Sequence, residues 1–136
     1  MTEAIKITLP YPPSVNHYWR MVTLKGRGPV MLISKEGREY KKSVALECSR
    51  RYLKPFTGPV MVNFTVYRPR RSGDLDNVQK SLFDALKGHT WEDDAQIVEI
   101  HAFRKDNKIN PRVEVEVTEI EAEQELFSKS EPELIY

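Results

Sequence analysis

The sequence predicts an α+β fold: one domain with a mixed β-sheet and two main helices packed on it. Three observations predict it. Apolar and polar residues alternate with a period of two at Ile5–Leu9 and Arg112–Thr118, the signature of half-buried strands, and Val60–Tyr67 is a further strand-like run with apolar groups on both faces. Apolar residues recur every three to four positions in two longer stretches, Ser34–Leu53 and Asp76–Lys87, as on amphipathic helices. The two patterns are interleaved as β, (β), α, β, α, β, β, which suits helices laid on a sheet rather than a bundle or a sandwich. At 136 residues the chain fits a single domain, and a domain of this size buries roughly two-thirds of its unfolded surface. We place the domain at 1–118 and an acidic C-terminal tail at 119–136.

The first strand, Ile5–Leu9, is stopped by Pro10, Pro12 and Pro13, which stiffen the loop that follows. Asn16, Tyr18, Trp19 and Arg20 then offer polar and aromatic groups that can contact a nucleic acid or pack locally; packing is favoured for Trp19. Residues 21–29, with Gly26, Gly28 and Pro29 among Lys25 and Arg27, read as a mobile basic loop, and Val30–Ile33 as a short strand. Ser34 is the expected N-cap of a helix reaching about Leu53, with Tyr40, Val44, Cys48 and Tyr52 as its buried stripe. Arg38, Lys41, Lys42, Arg50 and Arg51 lie on its other faces, either a phosphate-facing surface or solvated charge.

Pro55 and Gly58-Pro59 break the chain before the strongest strand, Val60–Tyr67, which is apolar on both faces and so reads as central and covered on each side. It runs directly into Arg68-Pro69-Arg70-Arg71. The helix Asp76–Lys87 has Leu75, Val78, Leu82, Ala85 and Leu86 as its core stripe, Asp76 or Asn77 as N-cap, and Gly88 as the stop. Gln96–Arg104 and Arg112–Thr118 are strands, joined by 105–111 as an antiparallel hairpin. The tail from Glu119 carries six glutamates and one lysine and reads as a frayed helix or tail, with Leu126 and Phe127 able to dock on a partner.

Charge is unevenly distributed. Residues 1–72 hold 14 Lys/Arg against 4 Glu, net +10, while residues 73–136 hold 7 against 16 Asp/Glu, net −9. A basic half favours a polyanion partner, because each neutralised phosphate releases condensed counterions. The single cysteine, Cys48, excludes an intrachain disulfide and a cysteine-based zinc cluster. There is no signal-like apolar N-terminal run, and no stretch nears the roughly 20 apolar residues of a membrane span. A cytoplasmic protein is expected, with no membrane partner. No P-loop, dinucleotide fingerprint or nucleophile elbow is present, and His17, His89 and His101 lack metal-ligand spacing.

The chemistry concentrates between Arg70 and Gln96. Asp74 and Asp76 stand at i and i+2 where extended backbone enters a helix, so both carboxylates can face one cation. Asp76 can equally be a cap alone. Asp93 and Asp94 precede the next strand; if that strand pairs beside Val60–Tyr67, its start can approach Asp74. Carboxylates so gathered repel one another, and a divalent ion relieves the repulsion. The bland alternative is that Trp91-Glu92-Asp93-Asp94 caps the next element. Lys80 lies one turn after Asp76, either a surface i,i+4 pair or a cation for phosphate and transition-state charge. Asp84, a turn further on, reads as a salt-bridge partner for Lys80.

Together these residues resemble a known family, the RusA-type Holliday-junction resolvases of bacteria and their phages. The resemblance rests on Asp74-Leu75-Asp76-Asn77-x-Gln-Lys80 with Phe83-Asp84-Ala85-Leu86, and on Trp91-x-Asp93-Asp94-Ala95-Gln96. Pro12-Pro13-Ser14-x-Asn16 and Ser34-x-x-Gly37-x-x-Tyr40 add to it, and it spans roughly residues 5–118. It implies a RusA-like nuclease domain at 1–118, with catalytic residues Asp74, Asp76, Asp94 and Lys80. It implies a Mg²⁺ site on Asp74, Asp76 and Asp94, with Asp93 either an outer-shell ligand or structural, and Mn²⁺ as an alternative ion. The expected DNA contacts are Arg68, Arg70, Arg71, Lys80, Asn16 and Phe83, the last either a wedge between bases or a core residue. A homodimer is implied too, since two related strands of a four-way junction are nicked. Ser72-Gly73 depart from the family by separating the arginines from Asp74. Three functions follow: a junction-resolving nuclease, a flap-type or broadly branched-DNA nuclease, and a DNA-binding module without turnover.

Overall fold

In the computed structural model, residues 4–70 and 75–120 are described, the side chain of Asp76 excepted. The first strand, β1 (Ala4–Pro10), leads through the proline loop into one helical turn, α1 (Val15–Tyr18). Then come β2 (Trp19–Leu24), β3 (Gly28–Ile33) and the long helix α2 (Lys35–Arg50). The second half runs β4 (Val60–Arg68), α3 (Leu75–Leu86), β5 (Ile97–Asp106) and β6 (Arg112–Glu119). Two sheets result: a four-stranded mixed sheet in the order β1-β6-β4-β5, and the separate pair β2-β3. The α+β expectation holds, with two substantial helices and one short one.

One face of the mixed sheet makes the core. Ile7 and Leu9 of β1, Val113, Val115 and Val117 of β6, and Val60, Val62, Phe64 and Val66 of β4 are all buried on it. Tyr40, Val44 and Cys48 of α2 and Val78, Leu82, Ala85 and Leu86 of α3 join them in one cluster. The opposite face is polar and open. Lys6 pairs with Glu116 across β1 and β6 at 3.7 Å, and Met61, Asn63, Thr65 and Tyr67 are only half-buried. β4 is therefore central but covered on one side, because the helices share one face.

Four local expectations are corrected. Residues 21–29 are a β-hairpin arm rather than a loop: Met21 pairs with Met31 and Val22 with Val30. A tight turn closes it, with Arg27 N–H donating to the Leu24 carbonyl at 3.1 Å and Gly26 and Gly28 at φ of +82° and +77°. α2 ends at Arg50, not Leu53, because Tyr52 takes a left-handed φ of +54°. That reverses the chain and leaves the Tyr52 ring exposed, outside the buried stripe. α3 already includes Leu75, so Asp76 and Asn77 are helical residues and not its N-cap. Finally, β5 and β6 form no hairpin. β4 lies between them, parallel to β5 and antiparallel to β6. The Asn107 side chain turns the connection by accepting from Ile109 and Asn110 N–H at 3.1 and 3.0 Å.

Other local readings hold. Ser34 caps α2 by accepting from Gly37 N–H at 3.0 Å. Gly88, at φ +90°, follows the end of α3 and donates to the Trp91 carbonyl at 2.7 Å. β6 keeps its ladder through Glu119, and Ile120 N–H donates to the Pro59 carbonyl at 2.7 Å. Residues 121–136, including Leu126 and Phe127, lie outside the described residues. No helix among those described is long and apolar enough to cross a membrane.

Candidate active site along helix α3

α3 lies between two ends of the sheet, and this arranges the site. β4 and β5 run parallel, with Val60 beside Ile97 and Arg68 beside Asp106. The arginine loop thus leaves one end of β4, while Asp94 stands just before the start of β5 at the other. The pairing that could draw Asp94 towards Asp74 exists, but its parallel sense puts the start of β5 at the far end from the loop. Asp76 is in the first turn of α3, and about 15 Å of helix axis separates its backbone from Leu86. Residues 76, 80 and 84 recur at i, i+4 and i+8, along one line of the helix surface.

Asp94 opens a short 3-10 turn, Asp94–Gln96. Its Oδ1 accepts a hydrogen bond from Trp91 Nε1–H at 2.8 Å, and Trp91 is fully buried. A buried indole N–H needs a partner, so the interaction satisfies the tryptophan and fixes the carboxylate rotamer together. Oδ2 has no partner among the described residues and remains available to a ligand. Asp93 has a structural task. Its side chain accepts from Ala95 N–H at 3.2 Å, while Gln96 Oε1 accepts from the N–H groups of Glu92 and Asp93, each at 2.8 Å. Gln96 Nε2 donates in turn to the carbonyls of Phe56 and Gly58 at 2.7 and 2.9 Å, tying the turn to the segment before β4. Sequence reasoning missed Trp91 and Gln96 as the residues that hold Asp94 in place. The usable signal was a tryptophan three residues from an aspartate.

The other expected site residues that are described are dispersed. Lys80 is exposed on α3. Asp84 is not matched to Lys80; it accepts from Tyr18 Oη–H at 2.5 Å and pairs with Lys41 Nζ at 3.6 Å, which binds α1 and α2 to α3. Burial and the Asp84 carboxylate hold the Tyr18 hydroxyl far above the ordinary tyrosine range. Phe83 is in the core. Its ring stands edge-on to Phe64 and Trp91, with centroids 5.7 and 5.3 Å apart, so packing accounts for it and the wedge reading gives way. Arg68 is held by Asp106, with Nη2–Oδ1 at 2.8 Å and Nε–Oδ1 at 3.0 Å, so its charge is answered within the sheet end.

Arg70 is exposed and lines a cleft of about 640 Å³ with Tyr11, Ser14, His17, Glu39 and Asn77. Burial raises the Tyr11 hydroxyl above its ordinary range, and Arg68 and Arg70 partly offset this. Asn16 is exposed on α1. Arg71, Asp74 and the side chain of Asp76 lie outside the described residues. Among those described, no three His, Cys, Asp or Glu groups are close enough to hold a metal. The donor chemistry of the acid set nonetheless suits a hard cation: carboxylates and no thiolates.

A model of the family described as "Endodeoxyribonuclease RusA" matches residues 10–118. The chain belongs to the RusA family. That span contains the whole candidate site, from the proline loop through α3 to β6. Among its relatives, the crossover junction endodeoxyribonuclease RusA of Escherichia coli K12 is 38% identical over 117 residues, covering 84% of this chain and 93% of the relative. The RusA protein of enterobacteria phage 82, with the same name, is 39% identical over the same shares of each chain. That of Shigella sonnei is 38% identical, again over 84% and 93%. Coverage of the relatives is nearly complete, so the RusA match is to a whole domain and not to one motif.

Proposed function

We propose that this chain is a Mg²⁺-dependent crossover junction endodeoxyribonuclease, acting in DNA recombination and repair. As a homodimer it would resolve four-way junctions by paired symmetric nicks. One observation carries the reading: a family match over 10–118 to nucleases so named, spanning the acids and the lysine that nuclease chemistry requires. Asp74, Asp76 and Asp94 are the acids that would hold the ion, with Mn²⁺ as an alternative, although within one chain the parallel β4–β5 pairing sets Asp94 at the far end of β4 from the arginine loop. When bound, it would supply Lewis acidity for water attack on the phosphodiester and for departure of the 3′ oxygen.

The chain's own residues have separable tasks in this reading. Trp91 holds Asp94 in one rotamer, with one oxygen turned to the ligand. Asp93 and Gln96 fix the turn that carries it. Lys80 offers an ammonium to a phosphate oxygen as negative charge builds there. Arg70 and Arg71 draw the backbone towards α3, whereas Arg68 keeps the end of β4 joined to β5. A two-fold homodimer presents two such sites, matching the two strands to be cut.

The test incubates the full chain with synthetic four-way, three-way, flap and linear DNA, with Mg²⁺ or with EDTA. Metal-dependent paired nicks confined to the four-way substrate are expected. Cutting of flaps at equal rates would move the reading to a broader branched-DNA nuclease. Binding without any metal-dependent nicking would overturn it in favour of a binding module.

A further inference from the structure

The β2–β3 hairpin has no task in the reading above, and its composition is unusual for a surface arm. Its root is well anchored. The Trp19 ring lies 4.4 Å from that of Tyr18, and Ser34 N–H donates to the Tyr18 carbonyl at 2.8 Å. Beyond the Trp19–Ile33 pair the arm is bare. Met21 and Met31 lie directly opposite each other, 60% and 58% exposed, and Leu32 and Leu24 are exposed as well. An isolated two-stranded hairpin is at best marginally stable in water, and exposed apolar groups in a cluster mark a contact surface. What they contact is indicated by charge. Between Trp19 and Ile33 there are three cations, Arg20, Lys25 and Arg27, and no acid. Among the described residues none of the three has an ion-pair partner. Lys25 and Arg27 occupy the turn, about 17 Å from the root at 3.3 Å per strand residue.

We infer that the β2–β3 hairpin is a DNA-engaging arm: Arg20, Lys25 and Arg27 take backbone phosphates, and the Met21–Met31 pair lies against bases exposed at a branch point. Cations held on a strand and at its closing turn neutralise phosphates without sequence preference. Methionine is among the apolar side chains that rest on or between unstacked bases. The arm is rooted through Tyr18, whose hydroxyl bonds Asp84 of α3, so it is fixed relative to the helix that carries Lys80. The inference rests on the proposed action on branched DNA and assigns that action a second contact surface.

The test measures binding of the full chain to a labelled four-way junction and to linear duplex in EDTA, across a series of NaCl concentrations. For the triple variant Arg20→Ala, Lys25→Ala, Arg27→Ala, the slope of log affinity against log salt should become shallower by about two to three, since each lost phosphate contact removes about 0.9. Affinity at 0.1 M salt should fall at least tenfold, with an unchanged circular dichroism melt. The double variant Met21→Ser, Met31→Ser should lower affinity for the junction more than for the duplex. Unchanged slope and affinity in the triple variant, while the wild type binds junctions, would overturn the arm and leave the proposed function standing. Loss of binding that tracks dissociation into monomers by sedimentation would overturn it too, assigning the hairpin to a subunit contact. A wild type that neither binds nor nicks any branched DNA would remove the proposed function itself.

Discussion

Trp91 holds Asp94: the indole Nε1–H donates to carboxylate Oδ1 at 2.8 Å from a fully buried ring. A residue that only filled the core would need no donor at that position. Trp91→Phe keeps most of the ring packing against Phe83 and removes the donor. Cleavage of a four-way junction by this variant should fall about 10- to 100-fold, the usual range for loss of a partner behind a metal ligand. Junction affinity in EDTA should change less than threefold. Equal loss of affinity and turnover would show that the tryptophan acts on folding and not on Asp94.

Asp76→Asn and Asp94→Asn each remove a negative charge while keeping side-chain size. Turnover should drop below detection in both, at unchanged Mg²⁺, and junction binding by gel shift should remain or tighten slightly as repulsion from DNA phosphates is relieved. Cleavage near the wild-type rate in the Asp76→Asn variant would remove that residue from the site.

Gly37 sits where α2 passes under α1. A Cβ there would clash with the Tyr18 carbonyl and come within 2.9 Å of Ile33 Cγ2. Because the carbonyl is backbone and already accepts from Ser34, it cannot yield without moving α1. Gly37→Ala should destabilise the protein by about 1–3 kcal/mol, the usual cost of overpacking, read as a lower midpoint in urea. Gly26→Ala meets no neighbour but imposes a side chain at φ +82°, and its cost should stay local to the hairpin turn.

Tyr18 and Tyr40 both have hydroxyls raised well above the ordinary tyrosine range, in each case mainly by burial, and for Tyr18 also by Asp84. A group whose folded pKa is raised contributes stability that is fully present below its unfolded value, near 10, and lost as pH rises towards the folded one. Thermal midpoints should therefore be insensitive to these groups below about pH 9 and fall above pH 10. Tyr40→Phe should flatten that alkaline decline, at the cost of the hydrogen bond to the Pro10 carbonyl at 2.9 Å. An alkaline decline as steep in both Tyr18→Phe and Tyr40→Phe as in the wild type would place the alkaline sensitivity elsewhere.

The elements were legible in the sequence where one physical signal dominated. The β6 alternation, Val113 to Val117, and the α3 stripe are each set by a buried face, and both emerged with their faces as read. The errors arose where long-range pairing decided the outcome. Nothing local to 97–119 says that β4 will separate β5 from β6, because turn residues at 105–111 suit a crossover connection as well as a hairpin. The β2–β3 arm was hidden by its glycines and cations, which read as a loop until each strand is seen to supply the other's partners. At the site, residue types were visible and their supports were not. Asp94 carries an evident charge, while the role of Trp91 depends on which way a buried ring turns.

The register of α3 has one more consequence. Its first turn carries Asp76 and its end is locked by Gly88, Trp91 and the turn at Asp94, so its length sets a phase as well as a distance. One residue inserted between Val78 and Gln79 would turn everything upstream by about 100° relative to everything downstream. Asp76 would swing away from the line of Lys80 and Asp84 even though no side chain had been replaced. A substitution on the outer surface of this helix leaves that phase intact; a change in its residue count does not.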